Sequence, residues 1–357
     1  MATFARSGRV LLGLFALLAL VGCTAVAVSA PAPAAPLPPP RATPSPAPVD
    51  LRIALTEPFG GNFAVWVADS AGLFRQNHLV VTLERQPESA ALRALVAGEL
   101  DVVVGAGGPV LSAALDGADL RFVAGLLNQY PYRFVVPTDV EGAADLRGAR
   151  IGIGRGGSVS EAATRLALRQ LDLDVGNVSL IQIGSTTERL AALENGAIRG
   201  AALGPPDVLS LDPQAFYPLL DLSSSGVEAP VNQAIVAARL AREEPGAVER
   251  LVRSLMEATA VARRDPVLTK RVLAEQLGDA DPAALDESYE LFVQKLAPRA
   301  PFPATLRDTL REMIEANPRA AALDPAVLAD RSFVQQLVDS GLLAQLYGDE
   351  PPAAARR

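Results

Sequence analysis

The segment Gly152-Ile153-Gly154-Arg155-Gly156-Gly157 sits between a β-branched run, Arg150–Gly154, and an amphipathic stretch, Val159–Leu171. The spacing G-x-G-x-x-G between a strand and a helix invites dinucleotide binding, because glycines let a pyrophosphate approach the backbone at a helix start. That chemistry also needs an acidic residue after the next strand to take a ribose hydroxyl. Here the run Ser179–Ile183 ends in Gly184-Ser185, so the nicotinamide reading is set aside. Two uses of the loop stay open. Its free N–H groups and the positive helix end suit an anion or a polar acceptor, with Ser158 adding a hydroxyl. Alternatively, Ser158-x-x-Glu161 is a capping box that satisfies the same N–H groups internally.

Other reactive side chains are few. His78 is the one histidine and Cys23 the one cysteine, so neither a histidine metal cluster nor an internal disulfide is available. His78 lies in the polar link Arg75-Gln76-Asn77-His78 and reads as a turn residue. No Cys-x-x-Cys, His-Glu-x-x-His, Walker loop or Gly-x-Ser-x-Gly occurs, and the carboxylates form no recognisable pair. No cofactor, no metal and no enzymatic activity are therefore expected. The chain of 357 residues is 50% hydrophobic and 20% charged, too apolar for disorder and long enough for two domains. A net charge of −8 without a polybasic block argues against a nucleic-acid partner.

The elements that must position these residues alternate between short β-branched runs and helical stretches, the grammar of a helix-covered parallel sheet. Strands are expected at Leu51–Leu55, Val80–Glu84, Asp101–Gly105, Arg121–Leu127 and Tyr132–Val136. Helices are expected at Asn62–Asn77 and Ser89–Ala97, the latter closed by Gly98. The pattern restarts with strands Arg150–Gly154, Ser179–Ile183 and Gly200–Leu203 and helices Val159–Leu171 and Glu188–Asn195. Within it is an internal echo. Leu92-Arg93-Ala94-Leu95 leads to Gly98 and then to Gly107-Gly108-Pro109; Leu190-Ala191-Ala192-Leu193 leads to Gly196 and then to Gly204-Pro205-Pro206. Each copy reads as helix, glycine stop, buried strand and Gly-Pro turn, which suggests two α/β lobes facing each other. After Pro245 the spacing of Val248, Leu251, Val252, Leu255, Met256 and Thr259 predicts helices that cover one lobe.

The first residues read as an address. Arg6 and Arg9 precede the apolar run Val10–Val21, too short for a membrane span, and the run ends in Leu20-Val21-Gly22-Cys23. Those four residues resemble a bacterial lipobox, which implies a signal peptide over 1–22 and acylation of Cys23. Nine prolines between Pro31 and Pro48 predict an extended tether over 23–49. Residues 346–357 read as a disordered tail.

From about Leu51 to Gly341 the chain resembles the substrate-binding proteins of ABC importers for nitrate, aliphatic sulfonates, taurine and thiamine-precursor pyrimidines. The resemblance is carried by Ala71-Gly72-Leu73-Phe74, by Ala97-Gly98-Glu99-Leu100-Asp101, and by Asp145-Leu146-Arg147-Gly148-Ala149-Arg150-Ile151-Gly152-Ile153 continuing to Gly157-Ser158. Leu173-Asp174, Arg189-x-Ala191-Ala192-Leu193-x-x-Gly196 and Asp330-x-Ser332-Phe333 follow in order. Arg199-Gly200 departs from the family's usual valine-aspartate. The resemblance implies a type II periplasmic-binding-protein fold: two α/β lobes joined by two hinge strands, with C-terminal helices packed on lobe one. Lobe one would be 50–133 plus 232–345, and lobe two 134–231. Cleft loops would then supply Thr56, Phe59, Asn62, Trp66, Gly107, Gly108, Tyr130, Gly157, Ser158, Val159, Thr186, Pro206 and Asp207 as ligand-binding residues. Phe59, Phe63 and Trp66 equally fit a helix core stripe, and Arg155 is a candidate for an oxyanion or a solvated loop charge. The implied protein is a monomer in the cell envelope, held to the membrane through Cys23, with a small-molecule ligand and an ABC permease and its ATPase as partners. The alternatives on the same fold are a pyrimidine-precursor synthase-like enzyme and a ligand-sensing module.

Overall fold

Ten short strands form two sheets in the computed structural model, which describes residues 47–56, 59–205, 207–278 and 281–348. In chain order the strands are β1 (Val49–Leu55), β2 (Leu79–Arg85), β3 (Val102–Gly105), β4 (Leu120–Leu127), β5 (Arg133–Pro137), β6 (Arg150–Ile153), β7 (Ser179–Gln182), β8 (Gly200–Leu203), β9 (Phe216–Asp221) and β10 (Asn232–Ala237). The expected signal peptide, Cys23, the tether up to Pro46, Pro206 and the tail beyond Gly348 lie outside the described residues. Val49 belongs to β1 rather than to the tether, and the helix Leu342–Tyr347 runs past the start of the expected tail.

The two sheets repeat one plan. The first has the order β2-β1-β3-β10-β4, and the second β7-β6-β8-β5-β9. In each, three parallel strands are followed by an antiparallel one that has crossed from the other half: β10 between β3 and β4, β5 between β8 and β9. The chain therefore passes between lobes twice, at residues 128–132 and 222–231. Valine suits β3, where Val102, Val103 and Val104 are all buried, because a parallel strand covered on both faces needs an unbroken apolar run. The echo takes equivalent places: α3 (Glu88–Ala97) leads to β3 as α6 (Thr186–Glu194) leads to β8.

Local chemistry sets where the elements stop. The single helix expected over Asn62–Asn77 is two, α1 (Phe63–Ser70) and α2 (Leu73–Gln76), because Gly72 adopts a left-handed φ of 70° that a continuing helix cannot contain. The expected Gly-Pro turn at Gly107–Pro109 is instead the first turn of α4 (Gly107–Leu115), where proline is tolerated because first-turn N–H groups have no helical partner. Pro218 lies inside β9, which it can do because β9 is an edge strand. Beyond β10, Val248, Leu251, Val252, Leu255, Met256 and Thr259 are all buried on the helix Pro245–Arg264, which packs against α1. One apolar core runs through both lobes, with Ile53 and Val104 of the first sheet and Phe134 and Ile151 of the second.

Candidate ligand-binding site

In parallel strands the carboxyl ends open onto the loops that meet a ligand. In the second lobe β6 delivers the glycine loop to α5 (Val159–Gln170), β7 delivers Ser185 to α6, and β8 delivers Asp207. Ser158 caps α5: its Oγ accepts from the Glu161 N–H at 3.3 Å. The Glu161 carboxylate accepts from the Gly157 N–H at 2.7 Å and pairs with Arg165 at 2.7 Å. Ser158 thus caps the helix as expected, while Glu161 takes the Gly157 N–H instead of closing the box on Ser158, whose own N–H donates to Arg155 O at 3.0 Å. Capping does not exhaust the site. A hydroxyl that accepts one bond still has its own proton to donate; Ser158 Oγ lies 3.2 Å from Ser160 Oγ, where either hydroxyl can be the donor, and Arg165 offsets the negative charge that Glu161 brings to the helix start.

Gly154 is where this cluster closes. A Cβ built there would meet Ser160 Oγ, Ser158 Oγ at 2.7 Å and Arg189 Nη1 at 3.5 Å. Arg189 is only 3% exposed, and it donates to Ile183 O at 3.2 Å and to Thr186 Oγ1 at 3.0 Å. Asp207, half-buried, is the nearby carboxylate. Burial pushes its carboxyl up, and the Arg189 guanidinium pulls it back without cancelling the shift. Val159 is half-buried against the core, and Arg155 is exposed on the loop.

The first-lobe residues divide. Gly108 reaches the second lobe: its Cβ position is 3.2 Å from Gly157 O, so the two loops meet at the seam between the lobes. Thr56 stands at the end of β1 with its Oγ1 over Gly105. Phe59 is half-buried and packs edge-to-face on Phe292, with ring centroids 5.1 Å apart. Asn62 is buried, and its Oδ1 accepts from Asn232 at 3.0 Å, tying this loop to the start of β10. Trp66 is 3% exposed inside the core with Phe63, a placement that fits the helix-stripe reading of those two rings. Gly107 is buried, and its N–H donates to Pro230 O at 2.8 Å, which leaves that donor committed to the second crossing.

Tyr130 in the first crossing is buried. Burial and then the Glu312 carboxylate raise its phenol above the ordinary value, against the pull of Arg169. Arg169 at the end of α5 pairs with Glu312 of the helix Arg307–Ala316 at 2.6 Å, a further contact between lobes. Lys295 donates to Ser223 Oγ at 2.6 Å and to Asp221 at 3.2 Å, at the start of the second crossing. Burial raises the Asp221 carboxyl, but hydrogen bonds from Ser223 and Lys295 outweigh it and hold the group below its usual range. A groove of about 480 Å³ lies elsewhere, along edge strand β2 and α3, and is lined by Glu84, Gln86, Arg93 and Glu99. Its lining comes from the first lobe alone, without strand ends from both sheets, so the seam is the better candidate. Among the described residues no three His, Cys, Asp or Glu side chains form a metal cluster, and no helix is long and apolar enough to cross a membrane.

Residues 62–268 match the model of the family described as NMT1/THI5 like. The chain belongs to that family. Among solved structures, the periplasmic aliphatic sulphonate binding protein SsuA from Escherichia coli is 20% identical, with a TM-score of 0.65, over 82% of this chain and 100% of that one. A putative sulfonate ABC transporter's periplasmic sulfonate-binding protein SsuA from Methylobacillus flagellatus KT is 15% identical, with a TM-score of 0.68, over 86% and 98%. A mutant of the desulfurization enzyme DSZB, in complex with biphenyl-2-sulfinic acid, is 19% identical, with a TM-score of 0.60, over 82% and 99%. No curated protein sequence matches. At these identities the structures establish the fold: this NMT1/THI5-like chain has the two-lobed architecture of periplasmic binding proteins. Of the residues at or beside this candidate site, the sequence marked Gly108, Gly157, Ser158, Thr186 and Asp207, and it did not single out Arg189 as a candidate. The available signal was position: Arg189 lies four residues before Leu193 on one face of α6, and these are the helix's two buried side chains.

Proposed function

We propose that this protein is an extracytoplasmic solute-binding protein that takes a small molecule between its lobes and delivers it to the permease and ATPase of an ABC importer. Sulfonates are the first ligand class, ahead of nitrate-like oxyanions and pyrimidine-like heteroaromatics. The observation that carries the reading is the meeting of Gly108 with Gly157 beside the capped start of α5. A site divided between two sheets is completed only by closure, and a ligand shifts that equilibrium by its differential affinity for the closed state. The sulfonate-binding neighbours with this fold support the class.

A thermal-shift series with alkanesulfonates, taurine, nitrate, pyrimidines and nicotinamide cofactors tests the proposal. A ligand at about 1,000 times its dissociation constant stabilises by roughly 4 kcal/mol. At about 2–4 °C per kcal/mol, the midpoint rises by several degrees. A rise confined to sulfonates is the expected result; a response to nicotinamide cofactors alone would overturn the reading. Turnover of a sulfinate by the purified protein would favour an enzyme instead. The chain's one cysteine, Cys23, stands in the proposed address segment, so neither lobe carries a thiol.

Acylation of Cys23 would hold the lobes at the membrane surface, at roughly 0.8 kcal/mol per buried methylene. Cys23→Ser is expected to move the protein from the membrane fraction to the soluble one after cell lysis. Unchanged retention in the membrane fraction would refute the lipid anchor.

A further inference from the structure

A buried guanidinium is costly unless its surroundings use or balance the charge. Arg189 is 3% exposed, and its position is fixed from two sides: Nη1 donates to Ile183 O at 3.2 Å and Nη2 to Thr186 Oγ1 at 3.0 Å. Both partners lie just past β7. The side chain also passes under β6, with Cδ 3.7 Å from a Cβ position on Gly152 and Nη1 3.5 Å from one on Gly154. Asp207, just past β8, is close enough for the guanidinium to pull on its carboxyl. The charge is therefore set at the carboxyl edge shared by the three parallel strands of the second sheet, below the start of α5.

That edge is where an open α/β sheet receives ligands. The same corner holds the hydroxyls of Ser158 and Ser160 and the positive end of a twelve-residue helix. We infer that Arg189 is the specificity-determining residue of the second lobe: its buried charge makes the site prefer an anionic head group, such as a sulfonate, to a neutral group of the same shape. It acts as a positioning residue, through the field it sets up and through the Gly154–Ser160 corner it underlies. Asp207 opposes it and tempers the preference. This inference rests on the solute-binding reading.

Ethanesulfonate and ethanesulfonamide differ in charge at nearly constant shape, and calorimetry with both on the intact protein separates charge selection from general damage. Arg189→Gln is expected to weaken ethanesulfonate binding about 10- to 100-fold, the order given by a unit charge some ångströms from the head group. Ethanesulfonamide binding should stay within about twofold, since a neutral group feels little of that field. Arg189→Lys keeps the charge and should retain most of the discrimination. Asp207→Asn removes the opposing carboxylate and should tighten the anion alone; this variant tests the field even if Arg189→Gln fails to fold. Equal losses for both probes in Arg189→Gln, or unchanged anion affinity in both Arg189→Gln and Asp207→Asn, would overturn the inference while leaving the solute-binding reading intact. Failure of the unaltered protein to bind either probe, nitrate or sulfate would overturn the oxyanion reading itself, and the inference with it.

Discussion

Gly108→Val is expected to weaken ligand binding about 5- to 150-fold while the melting temperature of the free protein stays within about 2 °C of the original. The range converts an overpacking cost of about 1–3 kcal/mol at roughly tenfold per 1.4 kcal/mol. The first atom of any side chain at this position already lies 3.2 Å from Gly157 O, and valine adds two more carbons in the same seam. Gly157 O is backbone, so it cannot rotate away; the lobes must stay further apart. Gly108 has an ordinary helical backbone in the first turn of α4, and valine is no worse a helix former than glycine. The cost therefore falls on closure rather than on folding. Gly246→Val is the matched control, because it adds the same side chain near another helix start where nothing lies within 4 Å. Titration calorimetry with the ligand that gives the largest thermal shift reads both variants. Equal affinity in Gly108→Val and the unaltered protein would show that binding does not need this approach of the lobes.

The legible parts of this fold are those in which one stretch of sequence meets one requirement. Val102–Val104 announce a strand covered on both faces, Ser158-x-x-Glu161 announces a helix start, and Gly98 with a left-handed φ of 79° ends α3 where expected. What local sequence cannot carry is contact between distant segments. Gly107 looks like a donor for a ligand until the second crossing brings Pro230 onto its N–H. Nothing in the sequence around Asn62 foretells that β10 brings Asn232 to its side chain. Phe59, Phe63 and Trp66 share a helical spacing, yet Phe63 and Trp66 go to the core while Phe59, ahead of α1, leans on Phe292. Arg189 escapes for a related reason. Arginine on a helix reads as a solvated charge, and only the convergence of β6, β7 and β8 shows that this face of α6 is roofed.

Phe134 illustrates how tightly the second lobe constrains itself, and its removal should give the largest loss of stability. The ring is fully buried in β5, and a Cβ on Gly200 of β8 would lie 2.8 Å from its Cζ. Glycine is a poor strand residue, so its place in β8 follows from the ring that occupies the space beside it. Phe134→Ala leaves a cavity and should cost about 3–5 kcal/mol. At about 2–4 °C per kcal/mol this lowers the melting temperature by roughly 6–20 °C. Gly200→Ala forces a methyl against the ring and against Ile151 Cδ1 at 3.4 Å, an overpacking expected to cost about 1–3 kcal/mol. The two costs arise from one shared volume, so they should not add. Combining Gly200→Ala with Phe134→Leu, which clears part of that volume, should be less destabilising than the sum of the two single changes by at least about 0.5 kcal/mol. Chemical denaturation of the four proteins measures the coupling. Strict additivity would mean that the ring and the glycine do not compete for the same space, and that β8 carries Gly200 for some other reason.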